Sequence, residues 1–139
     1  MNIGTKTYFV ITACKGNNPK ADAIYTNELE DILKERGENF TKAEGKYKGK
    51  SEEVFLVEAP SHIQSEYSSR ELTKSALMEL ASTFEQESIA EIDVNNNLLY
   101  LHYTATGKSE CLGRIRVADK EPAGDYTKLG LNYLTLYDS

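Results

Sequence analysis

An α+β sandwich of the ferredoxin-like kind, with two helices on one face of a mixed antiparallel sheet, is the fold this sequence predicts. Three observations predict it. Apolar runs and helical stripes alternate in the order β-α-β-β-α-β over the first two thirds of the chain. Each helical stripe fills a crossover between strands, which lays both helices on the same sheet face. Further apolar runs near the C-terminus add extra strands to that core. The 139 residues fit one domain with one core, spanning 1–139.

The elements follow in order. Residues 7–14 are a near-continuous apolar run, read as a central strand buried on both faces. Asn18 before Pro19 reads as an N-cap with proline in the first helical turn. Tyr25, Leu29, Ile32 and Leu33 then form one apolar stripe, with Glu28, Glu30 and Asp31 on the wet face and Gly37 as the stop. Residues 39–44 and 53–59 pair as a hairpin, closed by Pro60. Residues 61–69 form a polar linker, and Ser68 with Glu71 makes a capping box for a second helix carrying Ala76, Leu77, Leu80, Ala81 and Phe84 on one side. Residues 88–94 and 98–104 form a second hairpin around Asn95–Asn97. Residues 111–117 are another strand, 120–128 a loop with Pro122, Gly124 and Asp125, and 132–137 a final edge strand. The helices cover one sheet face, so the C-terminal strands or an oligomer interface must hide the other.

Composition excludes several classes. No stretch approaches the roughly 20 apolar residues of a membrane span, and the N-terminus lacks a signal-peptide pattern, so the expected place is the cytoplasm. Cys14 and Cys111 have neither metal nor redox spacing and end apolar runs, which predicts buried free thiols. His62 and His102 offer no helical zinc spacing, so no metal is expected. His102, between Tyr100 and Tyr103, reads as a packed, hydrogen-bonded strand histidine. A net charge of -6 repels nucleic acid and favours cationic small molecules. The acids are interspersed with lysines rather than massed, which argues against mimicry of DNA.

The functional stretch is residues 45–57, where a turn rich in Gly and Lys runs into the β-branched and aromatic segment Val54-Phe55-Leu56-Val57. Tyr47, Glu52 and Glu53 stand at the head of that strand. Taken alone, these residues also describe an ordinary solvated hairpin, with Lys46, Lys48 and Lys50 as solvated charges.

The first strand ending Ile11-Thr12-Ala13, the helix with Asn27 and Leu29, Gly45-Lys46-Tyr47, Glu52-Glu53 heading a strand, and Glu85-Gln86-Glu87-Ser88 before another strand form a pattern. It resembles the phage-encoded S-adenosylmethionine lyases, formerly called hydrolases, over roughly residues 7–104. Beyond Thr104 only a loop at 120–127 matches. The resemblance implies a PII-like (GlnB-like) ferredoxin fold, a homotrimer with active sites at subunit interfaces, and no cofactor. It implies cleavage of S-adenosylmethionine to methylthioadenosine and L-homoserine lactone, by which phages drain the methyl donor of host restriction systems. Carried over residue by residue, the family's tyrosine falls on Tyr47. Its glutamate falls on Glu53, with Glu52 adjacent and Glu58 a third candidate. Thr12, Ala13 and the strand after Gln86 are candidate walls for the adenine, and Gln86 reads equally as the cap of its helix.

That chemistry suits these residue types. The substrate carries its leaving group, a sulfonium, and its nucleophile, the α-carboxylate, so the protein needs to bend the chain rather than supply a reagent. Orientation of this kind supplies up to about 7–11 kcal/mol. A glutamate binds the α-ammonium and Tyr47 orients the glutamate or the substrate. Two non-enzymatic readings compete: a PII-like trimer that binds an adenine nucleotide, and an acidic anti-restriction protein that binds a host enzyme.

Overall fold

The computed structural model describes residues 7–59 and 66–137, with the side chains of 66–70 left out. In chain order the elements are β1 (Thr7–Ile11), α1 (Pro19–Glu35), β2 (Phe40–Tyr47), β3 (Lys50–Glu58), α2 (Glu66–Thr83), β4 (Ser88–Asp93), β5 (Leu98–Tyr103), β6 (Ser109–Ala118), β7 (Tyr126–Leu129) and β8 (Asn132–Leu136).

The start of α1 follows from its sequence. The Asn18 carboxamide oxygen accepts from the backbone N–H groups of Lys20 and Ala21, at 3.1 and 3.2 Å, and Pro19 occupies the first turn. Gly37, at φ 70°, ends it. Leu29 and Leu33 are fully buried, with Tyr25 and Ile32 packed beside them. Helix α2 begins at Glu66, two residues before the cap position expected at Ser68, so Ser68 lies inside the helix. Pro60 and residues 61–65 of the expected linker lie outside the described residues.

The strands do not form the open sheet of a ferredoxin-like sandwich. They close into an eight-stranded antiparallel barrel in the order β1-β3-β2-β7-β8-β6-β5-β4, and β4 pairs back onto β1. The element order β-α-β-β-α-β runs through β4, but the four later strands continue the sheet until it meets itself. Two pairings overturn the open sheet. The stretch read as loop, 120–128, ends in a strand, Tyr126–Leu129, which pairs with β2 through Glu44↔Lys128, Gly45↔Thr127 and Lys46↔Tyr126. The strand expected at an edge, β8, is hydrogen-bonded on both sides, to β6 and to β7.

Closure gives each strand an outer and an inner face, reached by alternate residues. Outward, Phe9, Ile11, Phe55, Val57 and Ile89 pack against Leu29 and Leu33 of α1 and Leu77, Leu80 and Ala81 of α2. Inward, Tyr8, Val10, Val54, Leu56, Ile92, Ile115, Leu129 and Leu134 form a second apolar cluster. The face that the helices leave uncovered is thus hidden within this chain by its own C-terminal strands. Each fully buried Phe or Leu contributes about 1.5–3 kcal/mol, so both clusters matter to stability.

On the helix side, His102 is buried between Glu91 and Ser109. Its Nε2 lies 2.6 Å from Glu91 Oε1 and its Nδ1 2.6 Å from Ser109 Oγ. This is the packed strand histidine expected from sequence. The cysteines are free, but Cys111 is exposed and Cys14 half-buried, so the expectation of two buried thiols fails. Among the described residues, no helix is long and apolar enough to cross a membrane.

Candidate active site

A cavity of about 490 Å³ opens at one end of the barrel, within the range of roughly 300–1,000 Å³ common for small-molecule sites. Its deeper wall is apolar: Val10, Val54, Ala90, Ile92, Leu99 and Leu101. Its polar lining includes Thr12, Tyr47, Glu52, Gln86, Asp125 and Thr127.

The β2–β3 hairpin positions the first of these. Its two-residue turn, Lys48-Gly49, has φ values of 53° and 81°, the left-handed pair that suits the twist of adjoining strands. The turn is tied down from outside, because the Lys48 backbone N–H donates to Asp125 Oδ1 at 2.9 Å. One residue row then crosses three strands. Gly45 on β2 pairs with Glu52 on β3 and, on its other side, with Thr127 on β7. Gly45 has no side chain, and the ring of Tyr47 fills the gap. A methyl group at Gly45 would stand 2.3 Å from a Tyr47 ring carbon and 2.6 Å from its hydroxyl. The Tyr47 and Thr127 hydroxyls are hydrogen-bonded to each other.

Electrostatics follow from this burial. The Tyr47 phenol is pushed up to about 12, by burial first and then by the nearby charges of Glu52 and Asp125, against the lowering effect of the Thr127 hydrogen bond. It therefore stays protonated near neutral pH and can donate. The Glu52 carboxyl is raised above the ordinary carboxylate range, chiefly by burial and then by Asp22. Asp22 is held at the start of α1, where its carboxylate accepts from the Lys15 and Gly16 backbone N–H groups at 2.8 and 3.1 Å.

Four of the residues expected from sequence line this cavity: Tyr47, Glu52, Thr12 and Gln86. The Thr12 hydroxyl donates to the Glu53 backbone oxygen at 2.8 Å, and the Gln86 amide donates to the Cys14 backbone oxygen at 2.9 Å. Gln86 also ends α2, its backbone N–H donating to Ala81. Both side chains thus brace the chain just after β1. Three expected residues do not reach the cavity. Glu53 points to the other face of β3, its carboxylate 4.0 Å from Lys42 Nζ. Glu58 ends β3 and accepts from the Asn39 side chain at 3.0 Å. Ala13 is fully buried in the helix-side core.

Sequence reasoning missed Thr127, Asp125, Tyr126 and Tyr103, which also line the cavity. The one available signal for the first three was the matching loop at 120–127. Among the described residues, no group of three or more His, Cys, Asp or Glu side chains is placed to hold a metal ion.

A family model described as the S-adenosylmethionine lyase family matches residues 9–135, so the match reaches through β6, β7 and most of β8. No curated protein matches the chain.

Proposed function

The chain belongs to the S-adenosylmethionine lyase family and is a lyase acting on S-adenosylmethionine; from that premise we propose that it makes methylthioadenosine and L-homoserine lactone in the mouth of its barrel. The observation that carries the proposal is that Tyr47 and Glu52 line one cavity whose deeper wall is apolar.

In this reading the α-carboxylate oxygen attacks the γ-carbon as the γ-carbon–sulfur bond breaks. The electron pair of that bond leaves with sulfur, the five-membered lactone closes, and the sulfonium becomes a neutral thioether. A negative carboxylate and a positive sulfonium cancel along the way, so charge disappears in the transition state. An apolar surrounding favours that change more than water does, because it solvates the separated charges less well. Val10, Val54, Ala90, Ile92, Leu99 and Leu101 supply such a surrounding.

Glu52 takes the α-ammonium in this scheme, in place of Glu53, on which the resemblance put the family's glutamate. An acid placed at the sulfonium would stabilise the charge that must vanish, whereas one at the ammonium anchors a charge that persists. A bound ammonium also favours the ionised form of Glu52 and offsets the burial that raises it. Tyr47 stays a neutral phenol and orients the amino-acid end by donating a hydrogen bond while its ring restricts the chain. Thr12 and Gln86 stand as adenosine-side walls.

We extend the proposal to a homotrimer and to a phage protein that depletes the methyl donor of host restriction in the bacterial cytoplasm, both of which come from the resemblance. Sedimentation and S-adenosylmethionine levels in expressing cells test these two points.

The chemical step is tested by turnover in ¹⁸O-labelled water. Intramolecular attack leaves the γ-oxygen of any homoserine unlabelled, because that atom was a carboxylate oxygen. Direct attack by water labels it, and a labelled γ-oxygen would refute the lactone route.

A further inference from the structure

We infer that Thr127 is a positioning residue of the lyase, holding the Tyr47 hydroxyl over the bare Gly45 so that the phenol faces the cavity beside Glu52. The inference rests on the role proposed for Tyr47 and goes beyond it by placing part of the active site on the C-terminal strands.

Three independent features of the structure converge on this pair. The first is register. Thr127, Gly45 and Glu52 are successive cross-strand partners on β7, β2 and β3. Cross-strand partners point to the same face, so Thr127 and Glu52 flank one gap from opposite sides. The second is space. Tyr47 lies two residues along β2 from Gly45, on that same face, and its ring folds back into the volume that any larger residue at 45 would fill. Stacked so, the hydroxyl reaches β7 rather than open solvent. The third is burial. Thr127 is 6% exposed and lines the same cavity as Tyr47 and Glu52.

The neighbouring residues keep this wall in place. The Thr135 hydroxyl donates to the Asp125 backbone oxygen at 2.7 Å, and Asp125 in turn accepts from Lys48 at the tip of the β2–β3 hairpin. The Tyr126 phenol donates to Glu44 Oε1 at 3.2 Å. The segment Asp125–Thr127 is thus fastened to the hairpin at three points, with the Thr127 hydroxyl as the one that ends on the phenol. Without that hydroxyl, the phenol keeps its ring contacts but loses the partner that fixes its direction.

The test uses Thr127→Val, Thr127→Ser, Tyr47→Phe and the double variant Tyr47→Phe/Thr127→Val. Valine keeps the shape and β-branching of threonine, so the barrel should hold, and a melting curve checks this. A lost orienting hydrogen bond predicts about a tenfold fall in kcat for Thr127→Val, with KM changed little, which corresponds to about 1.4 kcal/mol. Thr127→Ser, which retains the hydroxyl, should recover to within about threefold of wild type. In the Tyr47→Phe background, adding Thr127→Val should cost less than about twofold, because coupled residues lose their effect together. Wild-type turnover by Thr127→Val beside an impaired Tyr47→Phe overturns the positioning role and leaves Tyr47 in place. An equal loss from Thr127→Val in both backgrounds also overturns it, since threonine would then act without the phenol. An unimpaired Tyr47→Phe overturns both this inference and the role given to Tyr47.

Discussion

Gly45→Ala puts the architecture of the site under its sharpest strain with a single methyl group. The added carbon would stand 2.3, 2.6 and 2.7 Å from three atoms of the Tyr47 side chain, well inside the 3.5–4.0 Å of an ordinary carbon contact. Gly45 is not among the residues with positive φ, so the backbone itself accepts alanine. On local preference alone the change should stabilise the strand by about 0.5–1 kcal/mol. Against that, Tyr47 must swing out of its gap. It loses a hydrogen bond worth about 0.5–1.5 kcal/mol and part of the roughly 1.5–3 kcal/mol that comes from burying a large side chain. The balance is a net loss of about 1–3 kcal/mol, or a fall in Tm of about 4–12 °C at roughly 4 °C per kcal/mol. Activity should suffer more than stability, because a displacement near 1 Å at a reacting centre costs about 100-fold. The assays are a thermal melt and the rate of methylthioadenosine formation from S-adenosylmethionine. A variant with wild-type turnover, or one more stable than wild type, would refute the claim that Gly45 is bare to make room for Tyr47.

Other outcomes follow from the same geometry. The acid limb of the kcat/KM profile should lie above the ordinary glutamate range, because Glu52 is raised by burial and by Asp22, and Asp22→Asn should move that limb to lower pH. The same raised carboxyl means that the folded state holds its proton longer than the unfolded chain, so its contribution to stability falls as pH rises from the ordinary glutamate value through the raised one; Glu52→Gln should flatten that part of a stability–pH curve. Glu91→Ala leaves the buried His102 without one of its partners and should cost about 1–3 kcal/mol of stability, yet turnover below the melt should stay within about threefold, since neither residue lines the cavity. A thiol reagent should modify one cysteine quickly in the native protein, and Cys111→Ser should abolish that fast phase.

Much of the chain through β4 was legible because its signals are local. Asn18-Pro19 starts a helix wherever it precedes an apolar stripe, and the runs at β1 and β3 are too apolar to be anything but buried. Closure of the barrel was not legible. β7 has four residues and follows a stretch with Pro122, Gly124 and Asp125, so its composition reads as loop. It becomes a strand because β2, about eighty residues earlier and on the other side of α2, offers it a row of backbone partners. β6 is mostly exposed over its first half, which blurs the alternation that would have marked it.

The choice between Glu52 and Glu53 was hidden for a related reason. Val54, Phe55, Leu56 and Val57 are all buried, one pair facing the lumen and the other the helices. A strand that is apolar on both faces gives no clue to which neighbouring acid points at a cavity. Only the sheet's curvature decides, and that depends on strands seventy residues further along. Gly45-x-Tyr47 was visible as a motif, but its meaning as a gap and its filler required the register with Thr127.

The most direct measurement compares Glu52→Gln with Glu53→Gln on S-adenosylmethionine, following methylthioadenosine by chromatography. The two substitutions are chemically the same and adjacent, and differ in the face of β3 they occupy. A loss of about 100-fold in kcat/KM for Glu52→Gln, with Glu53→Gln within about threefold of wild type, is the result expected from losing a charged anchor worth about 1.5–3 kcal/mol. The reverse pattern, or equal activity in both, would contradict a site inside the barrel.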